Sequence, residues 1–152
     1  MKVWNWSSIE KPWMGLVAVL AILIFVFSPR FTASHPFSSS LSGLATLQHL
    51  SRTAIDYDLA LSNGKPTLVE FYATWCQTCQ HMAPILQHLE AEYGDHINLV
   101  LLDIDDPQWS DLTQDYQIRG VPTFLVLNSN HEVTRVLSGS VPLQRFRQYL
   151  QE

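Results

Sequence analysis

The sequence predicts an α/β fold, a central mixed sheet covered by helices on both faces, carried behind an N-terminal transmembrane helix. Three observations carry that expectation. Two continuously apolar, β-branched runs, at residues 67–72 (TLVEFY) and 97–104 (INLVLLDI), alternate with segments of helical period, which suits strands covered on both sides. A short turn at residues 128–131 separates a third such run from an alternating strand, and so demands an antiparallel pair at one edge. Finally, the fourteen residues 14–27 (MGLVAVLAILIFVF) carry neither a charge nor a hydrogen-bonding side chain.

That apolar run comes first. At about 1.5 Å per residue it spans only ~21 Å of a hydrocarbon core about 30 Å thick, so its flanks must help. Trp4, Trp6 and Trp13 suit the headgroup zone, Phe31 lengthens the apolar stretch and Arg30 can reach back to the interface. The expected division is a short tail at 1–12, a transmembrane anchor at 13–31, a Ser/Pro-rich linker at 32–43 and a folded domain at 44–152. A cleaved signal peptide is the rival reading, but the stretch SPRFTASHPF offers no clear A-x-A site. Lys2, Lys11 and the amino terminus outweigh Glu10, which places the tail on the cytoplasmic or stromal side and exports the domain.

Charge separates the two parts. Residues 1–30 hold Lys2, Lys11 and Arg30 against Glu10, a balance of +2, while the remainder holds 6 basic and 13 acidic residues, a balance of −7. Such a domain would repel a polyanion, so nucleic-acid binding is excluded. With only 2 Cys in 152 residues, a disulfide-stapled miniprotein is excluded as well.

Within the domain, Leu44, Leu47, Leu50, Ala54 and Ile55 recur at helical spacing, continuing through 58–61 until Asn63-Gly64-Lys65-Pro66 stops the helix. The strand at 67–72 follows. A helix then runs over 76–93 and ends at Gly94, with Pro84 inside it to kink it, and leads into the strand at 97–104. A second helix extends from Pro107 to about Tyr116, before a third strand at 123–127. The turn, a hairpin strand at 132–137, a break at Gly139 and an amphipathic helix at 141–150 complete the domain, with Leu143, Phe146, Tyr149 and Leu150 facing inward. The helical crossovers suit parallel pairing of the first three strands.

Trp75-Cys76-Gln77-Thr78-Cys79 lies directly after a strand and opens a helix. The first cysteine would sit where unpaired N–H groups and the positive end of the helix dipole stabilise a thiolate. The second follows one turn later, facing inward, within reach to resolve a mixed disulfide. Such a site performs thiol–disulfide exchange.

With these features in place, residues 55–152 resemble a thioredoxin. The resemblance rests on Trp75 before the first cysteine, Pro84 five positions after the second, Arg119-Gly120-Val121-Pro122-Thr123, and Gly139 before the last helix. It implies a thioredoxin fold with a Cys76–Cys79 redox disulfide as its only redox group and no added cofactor. It further implies a cis Pro122 that, with Val121, holds an incoming peptide, and a substrate-contact role for Trp75. Glu70 occupies the position of the family's buried aspartate and is assigned as the proton acceptor for Cys79, through water. Gln77, Thr78 and Pro84 are the tuning positions around the dithiol. The runs DYDLALSNGKPTLVEFYATWC and DIDDPQW, together with the anchor, are similar to membrane-anchored thioredoxin-like proteins of the TxlA type. That closer resemblance implies a domain in the thylakoid lumen or periplasm. There it would take reducing equivalents from a CcdA-type transmembrane thiol carrier and reduce protein disulfides such as those of apocytochromes. Three departures concern redox potential: Gln77-Thr78 is neither Gly-Pro nor Gly-His, Glu70 is one methylene longer than aspartate, and Leu101 stands where many thioredoxins have a buried lysine.

Other readings of these residues are weaker. Cys76, Cys79 and His81 could open a zinc site, but no second cysteine pair follows. Haem attachment needs histidine where Gln80 stands. His81 and His88 read as solvated helix residues, and Trp109 as a packing residue near a helix start. Asp103, Asp105 and Asp106 read as caps of the following helix. In function, a disulfide oxidase of the same fold and a non-catalytic assembly adaptor stand beside the reductase.

Overall fold

The computed structural model describes residues 36–150. The expected tail at 1–12 and anchor at 13–31 lie outside the described residues. Among the described residues, no helix is long and apolar enough to cross a membrane.

In chain order the elements are α1 (Pro36–Thr53), α2 (Tyr57–Ala60), β1 (Thr67–Tyr72), α3 (Gln77–Tyr93), β2 (Asn98–Asp103), a 3-10 turn (Pro107–Trp109), α4 (Ser110–Asp115), β3 (Thr123–Leu127), β4 (Val133–Ser138) and α5 (Leu143–Leu150). The first helix begins at Pro36, so residues 36–43, read from sequence as part of a linker, are helical. Proline suits that first turn, because its fixed φ is preorganised for a helix and its missing N–H has no intrahelical partner there. The helix also ends earlier than its periodicity implies. Asp56 interrupts it, its carboxylate accepting from the amides of Asp58 (3.0 Å) and Leu59 (3.2 Å) to cap a separate turn, α2. Helix α3 continues through Pro84 to Tyr93.

The strands form one mixed sheet in the order β2-β1-β3-β4. β1 and β2 are parallel, as expected, but β3 runs antiparallel to β1, with Phe71 opposite Thr123 and Thr67 opposite Leu127. The expectation of three parallel strands is therefore corrected, and helix length explains why. A parallel return needs a connection that crosses back along the whole strand, about 20 Å for six residues, whereas the six residues of α4 extend only about 9 Å. The chain accordingly re-enters the sheet at the end where β2 left it. This topology brings the segment after β1 and the segment before β3 to the same end of the sheet, and the candidate site forms there.

Both faces of the sheet are covered. Leu68, Phe124 and Val126 pack with Leu47 and Leu50 of α1, Met82, Leu86 and Leu89 of α3, and Phe146 of α5. On the other face, Val69, Phe71, Val100, Leu102 and Leu125 pack beneath Tyr57, Trp109, Leu112 and Tyr116. Continuous burial of β1 and β3 on both faces accounts for their unbroken apolar runs, while β4, at one edge, is mostly exposed. β2 is at the other edge and not central as its apolar run suggests; it is nevertheless largely buried, because helices cover both of its faces. Gly43 sets the approach of α1 to α3, because a Cβ there would lie 2.5 Å from the carbonyl oxygen of Gln80.

Candidate active site

Cys76 is the N-cap residue of α3, and its Sγ accepts from the amide of Cys79 at 3.1 Å. Cys79 lies one turn into the helix, and the two are joined as a disulfide with Cα atoms 5.3 Å apart. Burial is unequal, since Cys76 retains 6% of its accessible surface and Cys79 none. Such an arrangement gives the outer sulfur to an incoming group and keeps the inner one for resolution. Once the bond is reduced, the Cys79 amide and the helix N-terminus stabilise negative charge on Cys76 Sγ.

The loop before β3 closes over this sulfur. The Val121–Pro122 peptide bond is cis, and the Val121 carbonyl oxygen lies 3.6 Å from Cys76 Sγ. Behind it, the amide of Gly139, whose φ is +76°, donates to the Pro122 carbonyl at 2.9 Å. The Val121 and Pro122 backbone is thus held between the end of β4 and the disulfide. Trp75 stands on the other side with 63% of its surface exposed, and its indole N–H donates to Asp105 Oδ2 at 2.8 Å. Gln80 Nε2 donates to the Thr74 carbonyl at 2.8 Å, tying the loop to the first turn of α3.

Glu70 lies in mid-strand between Leu101 of β2 and Phe124 of β3. Strand alternation puts its side chain on the same face as Leu68 and Tyr72, the face covered by α1, α3 and the buried Cys79. It is wholly inaccessible, and neither carboxylate oxygen has a hydrogen-bond partner. Burial therefore pushes its pKa well above the ordinary carboxylate range. Neighbouring Tyr72 is also pushed up, chiefly by burial, with a hydrogen bond to Ser51 acting in the opposite direction.

A thioredoxin family model matches residues 48–152. The chain belongs to the thioredoxin family. It is 38% identical over 107 residues to the thioredoxin-like protein HCF164, chloroplastic, of Arabidopsis thaliana, covering 70% of this chain and 40% of that protein. To the thiol:disulfide interchange protein TxlA of Synechococcus elongatus it is 37% identical over 136 residues, covering 90% of this chain and 69% of the relative. Among solved structures, thioredoxin NaTrxh of Nicotiana alata superposes with a TM-score of 0.52 at 26% identity, covering 62% of this chain and 77% of that one.

Within this thioredoxin site, the residues singled out in sequence fall into two groups. Cys76, Cys79, Trp75, Val121 and Pro122 gather at one end of the sheet, with Gln77 and Thr78 between the cysteines. Pro84 instead occupies an exposed position of α3, away from the buried side that carries Cys79. His81 and His88 are exposed, and His88 lies 3.6 Å from Glu92 on the next turn. Trp109 packs edge-on against Tyr57. Asp106 caps the 3-10 turn, as the capping reading expects, whereas Asp103 caps no helix and accepts from the Asp105 amide within the preceding turn. Asp105 does something sequence reasoning missed: it holds the exposed tryptophan across 30 residues, and no local pattern marks that pairing. Gln80 was likewise noted only as ruling out haem. Among the described residues, no group of three or more His, Cys, Asp or Glu side chains is placed to hold a metal ion.

Proposed function

We propose that this thioredoxin-family chain is a membrane-anchored thiol–disulfide oxidoreductase that reduces disulfides of exported proteins. The observation that carries the reading is the position of Cys76 Sγ, at the start of α3 and 3.6 Å from the Val121 carbonyl before a cis proline. Trp75 and the Val121 and Pro122 backbone form the docking surface. The Cys76 thiolate attacks one sulfur of the client disulfide, which breaks as the other client sulfur leaves as a thiolate. Cys79 then gives its proton through water to Glu70 in its carboxylate form, which is present once the pH exceeds that group's raised pKa, and attacks Cys76 Sγ. The Cys76–Cys79 disulfide forms, the second client sulfur is released, and two electrons have passed to the client. Gln77 and Thr78, between the cysteines, set the potential of the couple, with Pro84 further along the helix.

The rest of the reading comes from the sequence and the relatives. Residues 13–31 are the anchor, with the N-terminus on the cytoplasmic or stromal side and the domain in a thylakoid lumen or periplasm. The chloroplastic and cyanobacterial relatives support that location. A CcdA-type transmembrane thiol carrier is the proposed electron donor, and apocytochromes are a proposed client class. The decisive measurement is the reduction potential of the couple in the full chain, equilibrated against glutathione or dithiothreitol buffers. The expected value lies near the reducing end of the family scale, about −270 mV, and a value near −120 mV would make a disulfide oxidase the better reading. Replacement of Cys79 by Ser should trap clients as mixed disulfides on Cys76. Absence of such adducts from membranes of cells carrying the variant would count against exchange and leave the adaptor reading.

A further inference from the structure

Beside the cis proline runs a groove of about 480 Å³, lined by Trp75, Ile104, Thr113, Ile118, Arg119 and Val121. A second, of about 460 Å³, lies along Tyr116, Ile118, Arg119, Pro122, Val136 and Ser138. Four residues, Ile118 to Val121, border both, so the loop before β3 is a ridge between them. Arg119 is exposed on that ridge and is the only basic side chain bordering either groove. Among the described residues it has neither a hydrogen-bond nor an ion-pair partner. Asp105, the carboxylate on the Trp75 side, already accepts from the indole. Its five donors in a planar fork match a carboxylate.

We propose that Arg119 selects clients carrying an acidic side chain close to the attacked cysteine. The inference rests on the exchange reading above and adds the chemistry of the client to it. Arg119 precedes Val121 by two residues, a span of at most about 7 Å. A client backbone paired to Val121, with its cysteine at Cys76 Sγ, therefore presents the side chain about two residues from that cysteine to the guanidinium. The apolar neighbours Ile104, Ile118 and the Trp75 ring favour an aliphatic or aromatic residue between the two, while the domain's overall negative charge repels acidic chains that lack this placement.

The test uses the reduced full chain in detergent and three symmetric peptide disulfides, identical except for Glu, Gln or Lys two residues from the cysteine, made with the variable residue on either side. Release of peptide thiol gives a second-order rate constant for each. The expected result is a preference for Glu over Lys of about three- to tenfold on at least one side, shrinking in 0.5 M NaCl as screening grows. Arg119→Gln should bring that ratio close to one, and Arg119→Glu should invert it. Because each comparison is a ratio within one protein preparation, partial unfolding of a variant cancels. A wild-type ratio below about twofold, or one that Arg119→Gln leaves unchanged, overturns the proposal while the exchange reading stands. Failure of the wild type to reduce any of the peptides removes the exchange reading, and this inference with it.

Discussion

Glu70 places an acid without a partner in the middle of a strand whose every residue is buried. The usual cost of such burial is avoided by holding the proton, which is why the pKa is raised. The sign of the pH effect follows. Above about pH 4.3 the unfolded chain loses this proton while the folded chain keeps it, so stability falls by up to about 1.4 kcal/mol per pH unit until the folded-state pKa is reached. Below the unfolded pKa that stability is fully present. Urea midpoints measured from pH 4 upward should therefore fall in the wild type and fall less in Glu70→Gln, and parallel profiles would refute the assignment. If Glu70 also takes the Cys79 proton, the same variant should slow resolution of the mixed disulfide by at least about tenfold, seen as a longer-lived adduct in rapid quenching. A merely structural Glu70 would alter the urea midpoint and leave that lifetime alone.

At the scale of elements, the contact between α1 and α3 is the one most exposed to a single change. Gly43→Ala puts a methyl group 2.5 Å from a backbone oxygen of α3, too close to be absorbed by a side-chain rotation. A loss of about 1–3 kcal/mol in unfolding free energy is expected, and an unchanged urea midpoint would show that α1 can shift freely. Here too the limits of the sequence are visible. Strands β1 and β2 and helix α3 were legible because each has a strong apolar pattern and an end signal, as with Gly94. The cysteines were legible because the C-x-x-C spacing is itself chemical, and Pro122 through the family resemblance carried by residues 119–123. The direction of β3 was not, since an apolar run has no polarity, and only the shortness of α4 decides it. The start of α1 was missed because its first residues, PFSSS, have the composition of a linker, whereas Gly43 reveals its role only once Gln80 lies opposite. Asp105 and Arg119 escaped for a related reason: one is fixed by a partner far along the chain, and the other borders two grooves that exist only once the chain has folded.

For the whole molecule, α1 lies across the boundary of the family match, which begins at residue 48 while the helix begins at Pro36. Its inward side is nevertheless core. Leu47 and Leu50 are wholly buried against α3 and the sheet, in the same cluster as Cys79, Met82 and Phe146. Each such leucine contributes on the order of 2–5 kcal/mol when judged by truncation, against a total of about 5–15 kcal/mol for a domain of ordinary stability. Removing both, with the rest of the helix, would also uncover the side of α3 that faces α1 and open the cluster holding the inner cysteine to water. A chain starting at Ala54 should therefore lose cooperative urea unfolding, or retain it with a midpoint far below that of a chain starting at Pro36. The redox consequence runs in the same direction. With α1 gone, Cys79 is no longer reserved for resolution, so alkylation of the reduced protein should label both cysteines at similar rates, whereas the longer chain should show Cys76 reacting first by a wide margin. Equal protection of Cys79 in the two chains would mean that α3 and the sheet bury the inner sulfur unaided, and that α1 is an addition to the thioredoxin domain and no part of its core.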